Sequence, residues 1–211
     1  MKDVLIPVVF PDYRISVETP SASIDVLPYF EFDNFKIEKS KQKLSNLGHA
    51  GILLINGRNG LTKYYEYGRY DAANRGIVRR IRLPDAEVNQ NGVIPKSLIP
   101  PLRKISRTTG KGGRIEGVFI EAEDVFEKVH NKLHARKQKN GRPDRTPYSV
   151  TSNSCIHFVK RAVEAAGKET PWMVDPRPNS YIGEFRDDYR DLDYSPKTKT
   201  LKIEEVGEIQ E

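Results

Sequence analysis

Cysteine is nearly missing from this chain: its 211 residues contain one, Cys155. A lone cysteine excludes an internal disulfide and a multi-cysteine zinc site. Long apolar runs are also missing. No stretch approaches the roughly 18 apolar residues of a membrane-spanning helix, so no transmembrane segment is expected. The opening residues, MKDVLIPVVFPDYR, hold a short apolar run with Pro7 and Pro11 in or beside it. They lack the long apolar region and cleavage site of a signal peptide. Synthesis in the cytoplasm, outside the general secretory route, is the expectation. Acidic residues are missing from whole stretches. Residues 103–114 carry five bases and no acid, and residues 131–145 carry six bases and one acid. Residues 184–211 reverse the balance, with nine acids and five bases. The net charge is +6 and the pI about 9.3. Basic stretches suit polyanions such as nucleic acid, anionic lipid or an acidic wall polymer. Taken singly, each reads as ordinary solvated surface. No nucleic-acid-binding motif accompanies them, so no nucleic-acid partner is expected.

Hydrophobic content of 37% and charged content of 30% suit one compact domain with insertions. Residues 1–46 are broken by Pro7, Pro11, Pro20 and Pro28, which exclude a long helix. They read as short extended pieces at 4–10, 14–19 and 35–38, forming a proline-rich arm packed on the core. A strand–turn–strand pattern follows. AGILLI at 50–55, KYYEYGRY at 63–70 and GIVRRIRL at 76–83 are separated by turn residues and make an antiparallel meander. Residues 85–147 read as an insertion. It contains a short helix at 94–105, a strand at 114–120, a helix at 121–137 and a basic loop. Residues 184–211 read as an acidic tail with a short strand at 201–206.

The stretch TSNSCIHFVKRAVEAAG, residues 151–167, organises the functional reading. Asn153 or Ser154 caps a helix. Phe158, Val159, Ala162, Val163 and Ala166 recur at helical spacing, and Gly167 closes the helix. Cys155 then sits in the first turn, where the helix dipole and free N–H groups favour a thiolate. A nucleophile would use that position; so would a small buried hydrophobe.

Of four histidines, His49 is the candidate base. It opens the first strand of the meander between glycines, in Leu47-Gly48-His49-Ala50-Gly51. A histidine at a strand mouth is placed to meet a helix N-terminus across the packed layer. Glu66 is the candidate orienting group, an acid in an otherwise aromatic strand; the alternative is an exposed face residue. Tyr67 and Tyr70 are candidate hydrogen-bond donors near the site, and with Asn153 they are expected to bind substrate. His157 lies two residues after Cys155 and cannot face it on a helix. His130 and His134 have i, i+4 spacing but no third ligand, and read as basic helix surface with no metal. No cofactor is expected.

The segments Gly48-His49-Ala50-Gly51-Ile52, Tyr65-Glu66-Tyr67-Gly68, Pro147-Tyr148 and Asn153-Ser154-Cys155 followed by a helix resemble the circularly permuted NlpC/P60 branch of papain-like proteins. In that branch the histidine strand precedes the cysteine helix. Where the family has Asn-Cys, this chain has Asn-Ser-Cys. More narrowly, the arm, KYYEYGRYD, RTPYSVTSNSC and DPRPNSY look like the papain-like effectors delivered by type VI secretion systems. The resemblance implies an α+β, permuted papain-like fold over residues 47–183, with an antiparallel sheet packed on the cysteine helix. It implies a cysteine peptidase or amidase with Cys155, His49 and Glu66 as catalytic residues. Peptidoglycan in a rival's periplasm would be its substrate, with an immunity protein and a secretion component as partners. The alternatives are a same-fold acyltransferase, deamidase or isopeptidase acting on lipid or protein, or a non-catalytic polyanion-binding module.

Overall fold

The computed structural model describes residues 1–13, 48–70 and 75–211, together with two short strands within 14–47. In chain order the strands and helices are β1 (Lys2–Val9), β2 (Ile15–Val17), β3 (Gln42–Leu44), β4 (Ala50–Ile55), β5 (Thr62–Gly68), β6 (Ile77–Ile81), β7 (Val88–Asn89), β8 (Gly92–Val93), α1 (Ile99–Thr108), β9 (Ile115–Glu123), α2 (Phe126–Gln138), α3 (Cys155–Ala165), α4 (Pro178–Arg186), β10 (Arg190–Ser195), β11 (Thr200–Ile203) and β12 (Gly207–Gln210). Eight strands form one sheet in the order β12-β11-β10-β9-β1-β4-β5-β6. Every pairing in it is antiparallel.

Successive side chains on a strand point to opposite faces, and here both faces are covered. On one face Leu5, Val9, Ile52, Leu54 and Tyr65 pack against α2, α3 and α4 through Val129, Leu133, Phe158, Val159 and Phe185. On the other, Val4, Ile6, Val8, Leu53 and Tyr64 pack against α1 through Ile99, Leu102 and Ile105. A strand buried on both sides reads as an unbroken apolar run, as LIPVV does in β1.

Three sequence expectations change. Residues 1–46 were expected as an arm laid on the core, yet β1 is an interior strand between β4 and β9. Pro7 is unusual in an interior strand, because proline donates nothing to a ladder. The chain accommodates it locally: pairing with β4 is continuous, whereas pairing with β9 skips Ile6 and Pro7. Gly117 of β9 pairs with Val8 at the edge of this gap, and a Cβ there would lie 2.4 Å from the Pro7 carbonyl oxygen. The piece expected at 35–38 lies outside the described residues. The 85–147 insertion contributes β9, a second interior strand. The acidic tail is not a tail: β10, β11 and β12 extend the sheet beyond β9, and α4, which precedes them, covers it.

The Asp3 carboxylate joins β1 to distant turns. It accepts hydrogen bonds from the backbone N–H of Gly57 at 2.8 Å and from Val125 and Phe126 at 2.7 Å each. The last two open α2, so an acid about 120 residues upstream does the work of a helix cap.

Candidate active site

Cys155 is the first residue of α3. Ser154 is extended at the N-cap, and its hydroxyl lies 2.8 Å from His157 Nδ1. His157 therefore serves the capping box and not the sulfur. Gly167 follows the helix with φ +73, as its expected closing role requires. The thiol is buried, only 4% exposed.

His49 reaches the same place from the sheet. It immediately precedes β4 and follows Gly48, whose φ is +67. A Cβ at Gly48 would lie 2.3 Å from Asn179 Oδ1, so glycine lets the start of α4 close over this strand mouth. The imidazole and the thiol are close enough to shift each other's charge, and the Ala50 N–H adds to the stabilisation of the sulfur anion. His49 Nε2 is 3.2 Å from Glu66 Oε2 and 2.9 Å from the Tyr70 hydroxyl. With Nε2 so engaged, Nδ1 is the nitrogen left to face Cys155. The ring packs near Phe10 and Tyr13, with centroids 6.1 and 5.5 Å away.

Glu66 is 1% exposed and has no bland surface role. Tyr64 donates to its Oε2 and Tyr70 to its Oε1, each at 3.2 Å, and Arg79 stands 3.7 Å from Oε1. Gly51 pairs with Glu66 across the ladder, and a Cβ at Gly51 would collide with the Tyr64 hydroxyl at 2.2 Å. Glycine at 51 is thus what lets Tyr64 reach the carboxylate. The donors form one consistent set. Tyr70 O–H gives its proton to Glu66, and His49 Nε2–H is shared between Glu66 and the Tyr70 oxygen.

These contacts set the charges. Burial would lower the His49 pKa, but the bonds to Cys155 and Glu66 carry it up to about 9. Burial would raise the Cys155 pKa, but the imidazole bond and charge, with the Ala50 N–H, hold it below the ordinary thiol value. Burial likewise opposes ionised Glu66, and His49, Arg79 and Tyr70 overcome it. The corner therefore favours thiolate, imidazolium and carboxylate in a row. A nucleophile, a proton carrier and an orienting acid are what acyl transfer through a covalent intermediate requires.

The structure brings Cys155, His49, Glu66 and Tyr70 together, but not Tyr67 and Asn153, which were expected to touch substrate. Tyr67 is 4% exposed, stacked on Tyr148 and Phe158 with centroids 5.6 and 5.9 Å away. Asn153, also 4% exposed, donates to the Tyr67 hydroxyl at 3.0 Å and the Pro147 carbonyl at 2.8 Å. Both are framework behind the cysteine. The sequence reading did not select Tyr148, whose hydroxyl lies 4.0 Å from Cys155 Sγ. Its signal was its place seven residues before the cysteine, in a Pro-containing loop. His130 and His134 stack on each other at 5.9 Å, and Tyr65 bonds His130 at 3.0 Å. Among the described residues no group of three His, Cys, Asp or Glu side chains is placed to hold a metal, and no helix is long and apolar enough to cross a membrane.

The profile of the family described as "Type VI secretion system effector TseH-like" matches residues 5–171. The chain belongs to this family of type VI secretion effectors. A solved structure, the crystal structure of the type VI secretion system effector TseH, superposes with a TM-score of 0.77 at 34% sequence identity, over 96% of this chain and 97% of that one. The mixed α and β architecture, with its large antiparallel sheet, is thus shared with TseH. No curated protein was found to match. Family membership makes this chain an effector secreted into target cells.

Proposed function

We propose that this effector is a cysteine amidohydrolase of permuted papain-like organisation, cutting amide bonds in peptidoglycan peptides in the periplasm of a target cell. The observation that carries the reading is the meeting of the only cysteine with His49, itself held by buried Glu66. The Cys155 thiolate attacks the amide carbonyl and forms a C–S bond. The backbone N–H of Cys155 and the Tyr148 hydroxyl, which lies 4.0 Å from the sulfur, serve as the donors for the developing oxyanion in this reading. His49 Nδ1–H protonates the leaving amine as the C–N bond breaks. The imidazole then takes a proton from water, which attacks the thioester and frees the thiolate. Glu66 keeps the proton on Nε2 and the ring in orientation throughout, as the third member of a triad does. Tyr70, 37% exposed and touching both His49 and Glu66, is the expected substrate-facing side chain at the mouth.

The substrate assignment draws on delivery into target cells and on the net charge of +6, which suits an anionic wall. An immunity protein in the producing cell and a component of the secretion machine are the expected partners. Digestion of purified sacculi, with mass analysis of the new termini, tests the reading. The native chain should release peptides with one new amine and one new carboxyl, and Cys155→Ala should release none. Intact sacculi after treatment with native protein would remove the substrate. Equal release by Cys155→Ala would remove the mechanism.

A further inference from the structure

Behind the cysteine helix, an open groove of about 330 Å³ lies between α2 and α3. Lys132, Arg136, Lys139 and Arg161 contribute four cations to its wall, Leu133 and Phe158 supply apolar surface, and no acid lines it. The two guanidiniums converge on one atom. Arg136 Nη2 donates to Asn153 Oδ1 at 2.8 Å, and Arg161 Nη1 donates to the same oxygen at 3.1 Å. Arg161 Nη2 also donates to the Ser152 carbonyl at 3.0 Å. The Arg136 guanidinium lies over the rings of Tyr67 and Phe158, 4.3 and 5.2 Å from their centroids.

Two like charges held on a neutral amide oxygen repel each other. Among the described residues no carboxylate pairs with either one. Elsewhere the chain does supply counter-ions: Arg186 meets Asp191 and Asp193, and Arg190 meets Glu121. A guanidinium has five N–H donors; Arg136 spends one and Arg161 two on these bonds, so donors remain for a ligand. Planar forks fixed by a carbonyl and by aromatic faces lose little freedom when they grip an oxyanion.

We propose that Arg136 and Arg161 form a binding site for an oxyanion, a phosphate or carboxylate group, with Lys132 and Lys139 as its rim. The site is distinct from the catalytic corner, since the path from Arg136 to the sulfur runs through Tyr67 and Tyr148. It is nonetheless tied to that corner. Asn153, which both arginines hold, also fixes Tyr67 and the Pro147 carbonyl beside Tyr148. An anion between the guanidiniums relieves their repulsion and steadies the residue that leads into α3. The proposal does not depend on the hydrolase reading, because binding is measured without turnover.

Calorimetric titration of the full chain at constant ionic strength tests it, with inorganic phosphate in one arm and succinate in the other. Phosphate binding that Arg161→Gln weakens by about tenfold or more assigns a phosphate-bearing ligand; succinate binding weakened likewise assigns a carboxylate-bearing one. Arg161 is exposed, so its replacement leaves the core intact. The Lys132→Gln, Lys139→Gln double variant provides a second readout and should weaken binding by about two- to fivefold. Absence of binding in both arms overturns the site. So does an affinity that neither variant changes.

Discussion

Asp3 and Glu66 are both carboxylates inside the sheet, 5% and 1% exposed, but they are held in opposite ways. Asp3 is bonded to the backbone N–H groups of Gly57, Val125 and Phe126, none of which can give up or gain a proton near neutral pH. Glu66 is bonded to His49, Tyr64 and Tyr70, and Arg79 stands near it. The partners decide what a buried acid does. One that satisfies main-chain donors is a cap joining distant turns, and its loss is felt by the fold. One that grips an imidazole governs a proton, and its loss is felt by chemistry. Both burials are offset by hydrogen bonds, so burial alone does not distinguish them.

The largest effect should come from deleting the sulfur that gives the Glu66 corner its purpose. Cys155→Ala is expected to lower turnover by about ten-thousandfold or more. Its melting temperature should stay within a few degrees, because His49, left without the thiolate, can rest as a neutral imidazole still bonded to Glu66. Turnover on muropeptides and thermal melts on the same sample check both halves. Substantial residual turnover would separate Glu66 and His49 from catalysis.

Asp3→Ala should give the reverse pattern. It strands three backbone donors that nothing else satisfies, which costs about 2–4 kcal/mol of folding stability. Urea unfolding measures that loss, and kcat/KM of the protein that remains folded should match the parent. A selective fall in kcat/KM would dissolve the contrast between the two acids.

Glu66→Gln keeps the shape and an acceptor for His49 Nε2–H, so a fall of about 10- to 100-fold in kcat/KM is expected, below the cost of losing the nucleophile. The pH profile sharpens the point. Glu66 is one of the groups raising His49 to about 9, so its neutralisation must lower that value. The alkaline limb of the rate profile, which reports loss of the imidazolium proton, should move to lower pH. The acid limb, set chiefly by Cys155, should move less. An alkaline limb that stays in place would mean that Glu66 does not govern the proton.

The cysteine helix was legible from caps and spacing: Ser154, the apolar face from Phe158 to Ala166, and Gly167. So was the meander, since β4, β5 and β6 are contiguous in sequence and bounded by turn residues. The interior place of β1 was hidden by Pro7, because the tolerance for proline resides in Gly117, more than a hundred residues away. The outer strands were hidden by charge. In β10, RDLDYS, buried Leu192 and Tyr194 alternate with partly exposed acids, and a net-charge count reads such alternation as a solvated tail. Within the site, Cys155, His49 and Glu66 follow from residue type and position. Tyr67 was expected at the substrate; it is buried, and a period of two already places it on the opposite face of β5 from Glu66. The framework role of Asn153 depends on Arg136 and Tyr67, contacts that no local pattern encodes.

The smallest predicted effect probes the edge of the Glu66 network. Tyr70→Phe removes one hydroxyl that accepts from His49 and donates to Glu66, but leaves the His49–Glu66 bond in place. The change should cost about two- to tenfold in kcat, on the scale of a single hydrogen bond beside a charge. The direction of the pH shift carries more than the size of the loss. Without the hydroxyl, Glu66 loses a donor that helps keep it ionised, so its carboxylate concentrates more charge on His49 while its own pKa rises. The alkaline limb should therefore hold or move slightly upward, opposite to the shift expected for Glu66→Gln. A downward shift in Tyr70→Phe would mean that the phenol oxygen, not the carboxylate, is the main acceptor for the imidazolium, and Glu66 would then resemble Asp3 more than the present contrast allows.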